Sequence, residues 1–84
     1  MSDESEIQSL LHDLGSRYAI PRRKAINALV EVGAPAVPGL IAQLNDKNPE
    51  AQKAAVEALE RIATPAALAA VAHWRDKMGD DASV

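Results

Sequence analysis

Apolar residues along the chain recur in five short stripes, each at the spacing of one face of an α-helix. Ile7, Leu10, Leu11 and Leu14 fall at i, i+3, i+4 and i+7, and so do Val37, Leu40, Ile41 and Leu44. Between them lies a broader stripe of Ala25, Ile26, Ala28, Leu29 and Val32. The fourth comprises Ala55, Val56, Ala58, Leu59 and Ile62, and the fifth Ala67, Ala70, Val71 and Trp74. Punctuation between the stripes predicts the helix ends. Gly15 stops the first helix, Pro21 opens the second and Gly33 closes it. The third is predicted from Pro35 to about Asn45. Asn48-Pro49-Glu50 and Thr64-Pro65 open the fourth and fifth, the last running to about Lys77. The short Gly-x-Pro break predicts that the second and third helices fold back as an antiparallel pair.

The pattern repeats. A shift of thirty residues carries Ile7 onto Val37 and Ala67, Leu10 onto Leu40 and Ala70, and Leu14 onto Leu44 and Trp74. The same shift superposes Ala25 on Ala55, Ile26 on Val56, Leu29 on Leu59 and Pro35 on Pro65, without a gap. Helix pairs recurring at a fixed interval bury their apolar faces only by stacking on one another. The expected fold is therefore all-α: a right-handed α-α solenoid of about five helices forming two and a half repeats. The expected units are a half repeat at 4–16, repeats at 18–46 and 48–77, and a disordered tail at 79–84.

PRRKAINALVEVGAPAVPGL and NPEAQKAAVEALERIATPAALAAV resemble HEAT repeats, in the short, Ala-rich form of the phycobilisome-lyase-type family. Asn48-Pro49, Ala54-Ala55, Ala58-Leu59, Ile62 and Pro65-Ala66 match that pattern, as do Arg22, Ala28-Leu29, Gly33, Pro35 and Val37-Pro38-x-Leu40 one unit earlier. Val30 and Glu60 replace the usual Gly, and Ala34 and Thr64 the usual Asp. The resemblance implies a solenoid whose second helices line a partner-binding face. It also implies an alternative, an auxiliary component of a tetrapyrrole (bilin) lyase or a chromophore chaperone.

Composition narrows the chemistry. The 84 residues contain no cysteine and no phenylalanine, so the core is aliphatic and thiolate metal sites are excluded. No apolar run reaches the roughly 18–20 residues of a membrane span. The acidic, polar start MSDESE is unlike a targeting segment, and the expected location is cytoplasmic. His12 and His73 are the only imidazoles, sit on helices that do not adjoin, and lack a partner at catalytic spacing. No phosphate loop or metal motif is present. The expectation is a non-enzymatic protein without a cofactor or metal.

Three surfaces are candidates for contact with another protein. The first is the outward ridge of the second-type helices: Ser9, His12 and Asp13, then Gly39, Ala42 and Gln43, then Ala69, Ala72 and His73. Its small residues suit the close approach of a partner helix, although Ala also serves simply as the best helix former. The second is an edge holding every basic residue except Arg61, with Arg17, Arg22, Arg23 and Lys24 at its centre. Arg22 to Lys24 are expected in a first helical turn, where cations oppose the dipole. The opposite edge gathers Asp3, Glu4, Glu6, Glu31, Glu57 and Glu60 against Arg61 alone, so the molecule is expected to be polarised. Nucleic acid is a weaker alternative, because the net charge is −3 and no aromatics interleave the basic cluster. The third surface is the last helix, where Leu68, Ala72 and Trp74 either expose a self-association patch or fold Trp74 back as a lid.

Overall fold

A computed structural model describes residues 4–82. Five helices follow in order: α1 (Glu4–Asp13), α2 (Ala19–Val32), α3 (Val37–Gln43), α4 (Pro49–Ile62) and α5 (Pro65–Ala82), with one 3₁₀ turn at Ala34–Ala36 before α3. No strand occurs among the described residues. The helices form two layers. One holds α1, α3 and α5 side by side, and the other holds α2 and α4. The molecule is 16 Å across its shortest principal axis, as expected for two helix layers about 8–10 Å apart. It is an all-α solenoid.

The stripes read from the sequence make the core. Leu14, Leu29, Leu40 and Leu59 are its largest fully buried side chains, one at the end of α1 and one each from α2, α3 and α4. Between them lie Ala25, Ala36, Ala55, Ala58 and Ala67, all essentially without exposure. No polar or charged residue is buried among the described residues. Small side chains at these crossings bring the backbones together, so shape rather than polar bonding holds the layers in register. Gly39 marks a close approach. A Cβ there would stand 2.5 Å from Leu11 Cδ1, so α3 rests directly on the Leu11 side chain of α1.

Four expectations change. First, the third helix does not start at Pro35. Pro38 has no N–H to donate to Ala34, so residues 34–36 tighten into a 3₁₀ turn and α3 is only seven residues long. Second, α2 and α3 are not an antiparallel hairpin. The chain bends by 119° between them, and α3 lies mainly on α4 while α2 lies on α1 and α4. Third, α2 opens at Ala19, placing Pro21 third in the helix, where its missing N–H still costs nothing. Arg22 to Lys24 consequently sit two residues further in, past the first turn. Fourth, α5 continues to Ala82, because a single Gly79 weakens a helix by only about 1 kcal/mol and no proline follows. The tail expected to be disordered is helical at 79–82, and residues 83–84 lie outside the described residues.

The two junctions that the thirty-residue shift superposes differ in backbone. Gly33 has φ 78°, ψ −136°, a region open to glycine, and sends the chain into the 3₁₀ turn. Ala63 takes a left-handed conformation, φ 59°, ψ 27°, and leads straight to Thr64, whose Oγ1 accepts from Ala67 N at 3.2 Å. A third junction carries a polar pin. Asn48 Oδ1 accepts from Glu50 N at 3.0 Å, capping α4, while its Nδ2 donates to Gly15 O at 2.9 Å, tying α4 to the end of α1.

These junctions and the aliphatic core predict five stability changes, each measured by urea unfolding. Ala63→Gly stabilises by about 0.5–1 kcal/mol, because the left-handed backbone no longer carries a Cβ, whereas Gly33→Ala destabilises by about 1–3 kcal/mol. Asn48→Ala costs about 1–2 kcal/mol, and Asn48→Asp restores the cap without the donor to Gly15, recovering only part of the loss. Leu40→Ala costs about 2–5 kcal/mol, a large share of the stability of a domain this size.

Candidate interaction surface

The layer of α1, α3 and α5 presents its outer residues as a ridge. Ser9, His12 and Asp13 of α1, Ala42 of α3, and Ala69, Ala72 and His73 of α5 are exposed. Gly39 and Gln43 are placed differently. Both are half-buried, Gly39 against Leu11 and Gln43 with its Nε2 donating to Leu11 O at 3.4 Å. The pattern that put them on the ridge assumed a regular third helix. With α3 short and close against α1, that side faces its neighbour.

Two grooves run between these helices, related by the same shift of thirty. The first, about 400 Å³, lies between α1, α3 and the start of α4, with His12, Asp13, Gln43, Asp46 and Asn48 in its walls. Gln43 and Asn48 span it through their bonds to Leu11 O and Gly15 O. The second, about 510 Å³, lies between α3, α4 and α5, and its walls include Ile41, Leu44, Ala70, His73, Trp74 and Lys77. His73 occupies the place of Gln43, and Trp74 that of Leu44. Trp74 is half-buried and packs on the core, so of the two arrangements foreseen for it, the indole folds back over the last pair. Its Nε1–H is buried without an acceptor. A buried donor left unpaired costs about 1–3 kcal/mol. Of the other two residues of the self-association candidate, Leu68 is 48% exposed and Ala72 is exposed.

The basic edge is partly consumed within the fold. Arg22 Nη1 donates to Ser16 O at 2.8 Å and lies 3.8 Å from Glu50. Arg23 pairs with Glu57, and Arg75 with Glu60. Arg61 donates to Asn27 Oδ1 at 3.0 Å and lies 3.8 Å from Glu57. Exposed pairs of this kind each contribute about 0–1 kcal/mol. Their larger effect is on the field. Arg23 and Arg75 meet carboxylates assigned to the opposite edge, so part of the expected polarity is neutralised across the stack. Arg17 lies over the Tyr18 ring at 5.5 Å, and Lys24 is exposed with no ion-pair partner among the described residues.

Sequence reasoning missed the corner beside them, where Tyr18 is 63% and Ile20 71% exposed. The available signal was the shift itself, which places Ile20 opposite Glu50, a surface position. His12 and His73 are both exposed, and no cluster of metal-ligating residues occurs among the described residues. No single helix there is long and apolar enough to cross a membrane.

Comparison with known families returns a match to HEAT repeats over residues 7–82. No curated protein and no solved structure matches the chain. The family match does not single out the pigment-lyase branch suggested by the Ala-rich pattern. It runs through the same stacked helix pairs that the structure displays, and the chain belongs to the HEAT-repeat family.

Proposed function

We propose that this protein is a small interaction module, an adaptor, scaffold or assembly factor that holds another protein along the ridge of α1, α3 and α5. HEAT repeats commonly mediate protein–protein contact and typically act as scaffolds rather than catalysts. The observation that carries the reading is the row of exposed small residues Ala42, Ala69 and Ala72, between His12 on one side and His73 on the other. A partner helix can approach such a row closely, and little side-chain entropy is lost when it docks. The basic edge contributes through Arg17 and Lys24, since Arg22 and Arg23 are engaged with Glu50 and Glu57. The net charge of −3 favours protein over nucleic acid.

The ridge predicts that Ala42→Arg combined with Ala72→Arg removes capture of the partner in affinity pull-down from native lysate, with unchanged circular dichroism because both sites are exposed. Arg17→Glu with Lys24→Glu weakens capture and reduces its salt sensitivity. Undiminished capture by the double-Ala variant would show that the partner sits elsewhere.

A further inference from the structure

We propose that the groove between α3 and α5 takes a short peptide segment in which an apolar side chain stands next to a carboxylate. This rests on the ridge reading and names the chemistry of the partner's anchor. The argument is a comparison of two grooves built by the same repeat. In the first, the chain bridges its own helices, with Gln43 donating to Leu11 O and Asn48 to Gly15 O. In the second, Gln52 donates to Asp46 O on the α4 side, but His73 replaces Gln43 and makes no such bond among the described residues, so no polar bond joins α3 to α5 there.

Charge separates the two further. The first groove has Asp13 and Asp46 in its walls, which repel a carboxylate. The second has Lys77 and His73 and, among the described residues, no carboxylate in its walls. Its apolar surface comes from Ile41, Leu44, Ala70 and Trp74, enough to receive one aliphatic side chain. Trp74 adds the remaining element. Its ring lines the groove while its N–H is covered and unpaired, so a small turn of the ring toward an incoming acceptor exchanges an unmade hydrogen bond for a made one. Bonds to a charged acceptor are the stronger kind, which favours a carboxylate over a neutral carbonyl.

The protein reports on this groove without an attached probe, since Trp74 is its only tryptophan and yields a single indole N–H resonance. A random dodecapeptide library displayed on phage is selected on the full chain, and the enriched peptides are synthesised and titrated into ¹⁵N-labelled protein. The expected consensus is an aliphatic residue within two positions of Asp or Glu, and the expected readout is a downfield movement of the indole resonance on saturation. Ala69→Glu, at an exposed position in the groove wall, is expected to weaken these peptides about tenfold or more without changing circular dichroism. Replacing the peptide carboxylate by its amide should weaken binding in the wild type. Failure to enrich any peptide, a consensus without an acid, or a stationary indole resonance overturns the proposal. Movement of the resonance by decanoate but by no peptide assigns the groove to a small carboxylate and also overturns it. Peptides that tolerate Ala69→Glu but are lost with Ala42→Arg and Ala72→Arg overturn the groove while leaving the ridge reading intact.

Discussion

Everything in this molecule depends on small side chains meeting at helix crossings. Ala25, Ala36, Ala55, Ala58 and Ala67 are buried where layers touch, and four leucines fill the spaces between them. Among the described residues no polar or charged residue is buried in the core to align the stack. Steric fit must therefore do it, and fit is sensitive to single methyl groups. That is why Gly39 can lie directly on Leu11, and why α3, although only seven residues long, is held between α1, α4 and α5. A helix of that length would not persist alone in water.

The same constraint separates the parts of the surface that are spent on the fold from those left for a partner. Polar residues that appear available in a list are consumed at the joints. Arg22 and Arg23 hold α2 beside α4, Asn48 links α1 to α4, and Gln43 reaches Leu11. What remains outside is a ridge of small residues, a corner with Arg17, Tyr18, Ile20 and Lys24, and the groove over Trp74. The ridge recurs on each second-type helix because the repeat makes it so. The groove is singular because the repeat is broken there, by Trp74 in a leucine's place and His73 in a glutamine's.

A repeat protein makes its departures from symmetry informative. Gly33 and Ala63 occupy corresponding positions and adopt different backbones, and the consequence is one broken second-type helix and one long one. Pro38 contributes, since its counterpart Leu68 can donate its N–H to Thr64 O and does so at 2.9 Å. The stretch from Pro35 to Leu44 therefore differs in shape from its counterpart, although both carry apolar residues in the same register. The two grooves inherit that difference.

Period, helix count, solenoid class and nearly all core positions were legible in the sequence, because burial of a periodic apolar face leaves few other solutions. Val37, Leu40 and Leu44, for example, are buried as their spacing requires. Helix starts were legible where a cap and a proline coincide, as at Asn48-Pro49 and Thr64-Pro65. Direction and pairing were not. Spacing says which residues face inward, but the 119° bend after α2 depends on the backbone angles of Gly33 and on Pro38 acting together. Nor could spacing separate Gly39 from Ala42, or Arg23 from Lys24, since their roles depend on how closely a neighbour packs and which carboxylate it carries. Periodicity along one chain determines an inside and an outside. Only the packing of one helix on another decides which part of the outside is already occupied.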